Sequence, residues 1–159
     1  MEKKDKTNVM RLLEQRNILF TAHTYDPAVT DGMTIANILE EDPAGVFKTL
    51  VTVANTKEHF VFVIPVNETL DLKKAARAAG VKSIAMIPQK ELLPLTGYIH
   101  GGCSPVGMKK KFTTFFHNTV SDREIMFCSA GRVGRQIGVC PKDLLPLVGG
   151  KTADITAGV

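Results

Sequence analysis

Neither a disulfide framework nor a clustered metal motif is visible in this sequence. The three cysteines, Cys103, Cys128 and Cys140, are an odd number with no Cys-x-x-Cys among them. That excludes a stapled secreted scaffold and fits a reducing compartment. His100 and Cys103 have a spacing found in metal sites, but a second pair would be needed and only scattered Cys and His remain. The expectation is no metal and no cofactor, with a zinc- or thiol-dependent hydrolase centred on those two residues as an alternative.

Long apolar runs are missing as well. The densest is Phe60-Val61-Phe62-Val63-Ile64-Pro65-Val66, well short of the ~18 residues a membrane helix requires. No apolar segment of signal-peptide length follows the charged start Met1-Glu2-Lys3-Lys4-Asp5-Lys6. Tryptophan, internal repeats, low-complexity tracts and linkers are absent too. The expectation is a single cytoplasmic domain over residues 1–159, with no membrane partner.

What is present suffices for a core. The 159 residues are 44% hydrophobic and 23% charged, near globular averages, and a domain of this size buries roughly 68–70% of its unfolded surface. The net charge of +4 is unevenly placed. Residues 1–79 hold ten basic and eleven acidic groups, whereas residues 80–159 hold ten basic and five acidic. A basic C-terminal half suits a polyanionic partner, because each cation set against a phosphate releases a counterion. Ordinary scatter is the competing explanation.

Local patterns give the element order. Thr7 or Asn8 can cap a helix through about Asn17, and a short strand around Leu19–Thr24 follows. Thr30 or Asp31 opens a second helix with Met33, Ile35, Ala36, Ile38 and Leu39 on its apolar face. Val46–Ala54 and His59–Val66 read as a hairpin across Asn55-Thr56-Lys57-Glu58. A helix over Leu72–Ala79 stops at Gly80, Ser83–Met86 reads as a strand, and Pro88 starts a helix ending near Gly97. Tyr98–Gly107 is a glycine-rich loop. Phe112–Phe116, Ile125–Ser129 and Arg135–Cys140 read as strands, with a turn over Ala130–Gly134 and a last helix over Pro141–Val148. No regular βαβ alternation is present. The fold class is therefore α+β, a mixed sheet or small barrel with helices outside it, rather than a Rossmann fold.

Two local anomalies carry candidate chemistry. Lys48 interrupts Val46-Phe47-Lys48-Thr49-Leu50-Val51, a run apolar on both faces. A lysine aimed into an apolar interior costs several kcal/mol unless its ammonium is paired or opens onto a polar cavity. There it would bind a phosphate or a developing negative charge; an edge-strand lysine that discourages aggregation is the plainer reading. The second anomaly is Gly97-Tyr98-Ile99-His100-Gly101-Gly102-Cys103-Ser104-Pro105-Val106-Gly107. Gly101 and Gly102 let a ligand approach the main chain, and two amides aimed at one point would make an oxyanion hole. A tight connection between strands is the alternative. Cys103 has no evident base-and-carboxylate arrangement around it, so nucleophilic thiol chemistry is disfavoured. Lys109-Lys110-Lys111 is either a solvated run or a phosphate contact. His23, Tyr25, Ser129, Gly131 and Gly134 are further candidates, each more often structural.

Taken together, these stretches resemble the YbaK/EbsC family of aminoacyl-tRNA editing proteins, of the Cys-tRNA(Pro) deacylase type, which is similar to the editing insertion domain of bacterial prolyl-tRNA synthetases. The resemblance rests on His23-Thr24-Tyr25, Val46-Phe47-Lys48-Thr49-Leu50, Leu70-Asp71-Leu72-Lys73-Lys74, Gly97-Tyr98, the segment Gly101-Gly102-Cys103-Ser104-Pro105-Val106-Gly107-Met108-Lys109-Lys110, and Ser129-Ala130-Gly131. It implies a mixed, mainly antiparallel, barrel-like sheet surrounded by helices, and a pocket for the aminoacyl end of tRNA(Pro). It makes Lys48 the key functional residue and places Gly101 and Pro105 in the family's Gly-x-x-x-Pro loop. Tyr25, Thr49 and Ser129 match pocket-lining positions. Gln136 stands where cysteine-deacylating members carry Asp, and Arg132-Val133 replaces the usual Lys-Arg before Gly134.

The implied site has Lys48, Gly101 and Gly102 as catalytic groups. Tyr25, Thr49, Ser104, Pro105, Ser129 and Gln136 contact the aminoacyl end, and Lys109, Lys110 and Lys111 contact tRNA phosphates. For cysteinyl esters the resemblance implies attack by the substrate's own thiol, leaving the protein to position it. Alanyl esters would require water. Ala-tRNA(Pro) or another aminoacyl-tRNA is the alternative substrate, and a non-catalytic tRNA- or nucleotide-binding module the alternative class. Without a separate tRNA-binding region, help from prolyl-tRNA synthetase is expected. Nothing points to DNA.

Overall fold

The computed structural model describes residues 6–158. Thr7 caps α1 (Asn8–Gln15) by accepting the Met10 N–H, and Val9, Met10 and Leu13 form its buried face. A strand β1 (Phe20–Thr24) follows, then α2 (Gly32–Ile38), whose cap is Asp31. The hairpin is β2 (Phe47–Ala54) and β3 (His59–Pro65), joined through Lys57, which takes a positive φ of 75°. Helix α3 (Leu72–Ala79) is capped by Asp71 and stopped by Gly80 in the left-handed region. After β4 (Ile84–Met86), the region expected to be one helix from Pro88 splits into a 3-10 turn, Gln89–Glu91, and the short α4 (Leu92–Thr96). Pro94 lies in this stretch and cannot donate a main-chain hydrogen bond.

The remaining elements are β5 (Thr113–His117), β6 (Met126–Ser129), β7 (Arg135–Val139), α5 (Pro141–Val148) and β8 (Lys151–Ala153). The last strand was not expected: three residues carry no readable pattern. It forms because the chain end is pinned elsewhere. Asp71 N–H donates to Ile155, Lys74 Nζ reaches Asp154 at 3.1 Å and the Thr156 carbonyl, and the Thr156 hydroxyl donates to Glu68.

Two sheets result. One is antiparallel, ordered β1-β7-β6; the other runs β4-β2-β3-β5-β8, with β3-β5 and β5-β8 parallel. Among the described residues they do not close into a barrel; a single parallel bridge, Val46 to Phe127, ties them. Alternation along β3 sends Val61 and Val63 into the core shared with α1 and the three-stranded sheet. Phe60, Phe62 and Ile64 instead enter a second core beneath α3.

The edge of β2 positions everything that follows. Val66 N–H bonds Val46, and Ala54 N–H bonds Glu58, so the even-numbered residues of β2 face β3. Odd-numbered residues face the other way, where β6 meets the start of the strand at Val46 and β4 pairs with Thr52–Ala54. Between them no ladder is formed on this edge among the described residues, and Thr49 lines the cavity that opens there. Pro88 and the 3-10 turn lead the chain away from β2 just where another pair would form.

Phe62 is fully buried and stacks on Phe115 with ring centroids 5.6 Å apart. Phe62→Ala should therefore cost about 3–5 kcal/mol of unfolding free energy by denaturant titration.

Candidate functional site

A cavity of about 450 Å³ opens at the uncovered stretch of β2, with Lys48, Thr49 and Leu50 along one wall. Asp31 and Gly32 come from the start of α2, His100, Gly101 and Cys103 from the glycine loop, and Ser129 and Gln136 from adjacent positions of β6 and β7. Lys48 and Thr49 point to opposite faces of the strand, yet both reach the cavity because it wraps around a bare edge.

Lys48 is half-buried. Desolvation lowers its pKa from the ordinary lysine value, and the Asp31 carboxylate pulls part of the way back. Asp31 itself is held below the usual carboxylate range, first by the Thr34 hydroxyl at 2.7 Å and then by the Thr34 amide at 3.0 Å. Burial opposes this, and Lys48 adds a smaller lowering. The site thus sets one ammonium and one committed carboxylate near its mouth over neutral residues deeper in.

Those deeper residues have unmet hydrogen-bonding capacity. Thr49 Oγ1 and Gln136 Oε1 are buried without a partner among the described residues. Leaving a buried polar group unpaired costs about 1–3 kcal/mol, so such atoms await a donor from ligand or water. Ser129 Oγ accepts the Gly131 N–H at 3.1 Å, leaving its own O–H able to donate. The Cys103 thiol is pushed up to about 12 by burial, which keeps it protonated and a poor nucleophile at neutral pH. Among the described residues no group of three or more His, Cys, Asp or Glu is arranged to hold a metal ion.

Gly101 occupies φ +88°, with a hypothetical Cβ 2.9 Å from Thr30 Cγ2, so only glycine fits without displacement. Its N–H makes no bond within the described protein. Gly102 is different, and the expectation of an oxyanion amide there is corrected. Its N–H donates to Ile99 O at 2.9 Å, closing a turn, and a Cβ added there would meet the 132–133 backbone at 3.0 Å. Thr49, on β2, lines the same cavity as Gly101.

Other expected contacts are also relocated. Ser104 is fully buried, and its Oγ accepts the Val106 N–H inside the loop. Tyr98 donates from its hydroxyl to the Val106 carbonyl and helps fix the same loop. Pro105 faces a second groove of about 290 Å³ with Arg16, Lys110 and Lys111. Lys109 is exposed and lines neither space. Tyr25 is buried with an unpartnered hydroxyl but does not line the cavity. His23 pairs with Thr21 at 2.8 Å beside a third, separate groove.

Comparison with known proteins accords with this geometry. Residues 26–147, which include every cavity-lining residue, match the aminoacyl-tRNA editing domain family. The chain belongs to that family. It is also 40% identical over 153 residues, 95% of this chain and 93% of the other, to an Enterococcus faecalis protein named "Putative Cys-tRNA(Pro)/Cys-tRNA(Cys) deacylase EbsC". Two solved structures share the fold. One, described as "a putative trans-editing enzyme for prolyl tRNA synthetase", has TM-score 0.82 at 23% identity over 96% of this chain and 99% of that one. The other, a hypothetical protein, has TM-score 0.86 at 21% identity over 94% and 99%.

Asp31 was legible as a helix cap but not as part of this editing domain's cavity; only tertiary placement brings it opposite Lys48. Its depressed carboxyl stabilises the fold above the unfolded pKa, and that contribution vanishes as pH falls through the folded value. Asp31→Ala should lower stability by about 1 kcal/mol near neutral pH. The deficit should close as melts are repeated below pH ~3.9.

Proposed function

We propose that the protein is a trans-editing deacylase that removes the amino acid from mischarged Cys-tRNA(Pro). The observation that carries this reading is the half-buried Lys48 beside bare main chain, facing unpartnered polar atoms in one cavity of an editing domain. The name of the Enterococcus faecalis relative supports the cysteinyl substrate. The solved neighbour described as acting for prolyl tRNA synthetase supports that synthetase as a partner supplying tRNA selection.

The chemistry required is modest. The ester carbonyl must be polarised and its oxyanion met as charge develops. The Gly101 N–H is a main-chain donor at the cavity with no partner among the described residues, and Lys48 supplies a positive charge for the carbonyl oxygen or the terminal phosphate. With a cysteinyl ester, the substrate thiol loses its proton and attacks its own carbonyl carbon. The carbon–oxygen bond to the ribose then breaks, and the departing oxygen takes up a proton. Holding thiol and carbonyl together is the protein's main contribution. The high pKa of Cys103 favours this over a protein thiolate.

The groove beyond the loop takes tRNA phosphates in this reading. Arg16, Lys110 and Lys111 line it, and no carboxylate does among the described residues. Exposed Lys109 adds charge nearby.

Purified protein should deacylate Cys-tRNA(Pro) and spare Pro-tRNA(Pro), with Ala-tRNA(Pro) as the third substrate. Lys48→Ala should lower kcat/KM on the cleaved substrate by roughly 10²-fold or more. Equal rates for wild type and variant on both mischarged substrates would end the proposal. For the groove, replacing Lys110 and Lys111 together with Ala should flatten the log–log salt dependence of tRNA affinity by about one to two units. An unchanged slope removes those lysines from the interface.

A further inference from the structure

We propose that Gln136 reads the free α-amino group of the substrate, so that the editing site accepts only aminoacyl-tRNAs whose amine is unblocked. This rests on the deacylase reading and adds a specificity-determining contact to it.

The argument begins with what the cavity offers a donor. Gln136 is only 5% exposed, on the central strand of the three-stranded sheet, in register with Ser129 on one side and His23 on the other. Its Oε1 is buried and unpartnered, and an amide oxygen can only accept. Thr49 Oγ1, also buried and unpartnered, can do either. A ligand that displaces water from this end of the cavity satisfies Gln136 Oε1 only by bringing an N–H or O–H to it.

An aminoacyl ester bound through its carbonyl has such a donor fixed in place. Its α-amine sits on the carbon next to the carbonyl, whatever the side chain. If Lys48, Gly101 and Thr49 hold the carbonyl end, the amine, two bonds from the carbonyl carbon, is the next polar group of the substrate. An N-acyl group would replace donor hydrogens by a bulky amide and set its carbonyl against an oxygen that can only accept.

The cavity's titratable and charged side chains are Lys48, Asp31, His100 and Cys103. Asp31 is exposed at the mouth, with Oδ2 engaged by Thr34. A neutral acceptor deeper in takes both the amine and the ammonium, so recognition by Gln136 spans the amine's titration.

The test uses an adenosine carrying cysteine through a 3′-amide, which cannot be cleaved as an ester, and its N-acetyl counterpart. Binding of each is measured by calorimetry to wild type, Gln136→Met, Gln136→Glu and Asp31→Asn. Wild type should prefer the free amine by tenfold or more. Gln136→Met, similar in length but lacking the acceptor, should bring that ratio near one. Gln136→Glu should keep the preference and enlarge it below pH ~7.7, where an α-amine is charged.

A uniform loss of affinity that leaves the ratio intact in Gln136→Met would mean a merely structural role and would overturn the proposal. So would a wild-type ratio near one, or loss of the ratio in Asp31→Asn instead. If Gln136→Met does not fold, failure of Gln136→Glu to enlarge the preference at low pH is equally decisive. Because the probes report binding, these outcomes are independent of whether the protein cleaves Cys-tRNA(Pro).

Discussion

One uncovered segment of one strand organises this molecule. β2 is bridged by β6 at its start and paired with β4 at its end. Between those contacts no ladder pairs Thr49 on this edge among the described residues. A buried strand edge must be paired, solvated or offered to a ligand. Here it becomes a cavity wall, and the unclosed seam between the two sheets becomes the site.

The rest of the chain holds that seam open and lines it. α2 brings Asp31 to the mouth, opposite Lys48. The glycine loop, with Tyr98 bonded to Val106, presents Gly101 to the cavity while Gly102 closes the turn. The three-stranded sheet supplies Ser129 and Gln136 side by side. Charge stays near the entrance and the depth is neutral, an arrangement suited to an ester whose reacting carbonyl lies near the entrance. Because the ester is intrinsically reactive, orientation and a few donors suffice, and no triad need be built.

Much of this was legible in the residues. The capping residues Thr7 and Asp31, the stop at Gly80 and the hairpin at Asn55–Glu58 follow from local chemistry, and the corresponding elements lie within a few residues of expectation. Lys48 announced itself by violating an apolar run. What could not be read was register and long-range pairing. A glycine pair looks like two free amides until the fold shows Gly102 N–H turned back on Ile99. Ser104 and Pro105 sit in the right motif, yet one is sealed inside the loop and the other faces a different groove. Thr49's place in the cavity wall depends on how short β4 is, a property of β4 and Pro88 rather than of Thr49. Strand β8 was missed because contacts from Glu68, Asp71 and Lys74 fix the chain end.

The most direct test of the seam as the binding site is a backbone-amide NMR titration with the 3′-amide-linked cysteinyl adenosine. Ligand in the gap should shift Thr49 and Gly101 most strongly, with Ser129 and Gln136 following and the Arg16–Lys111 groove little changed. Shifts confined to that groove, or none at Thr49 and Gly101 at saturation, would contradict the account.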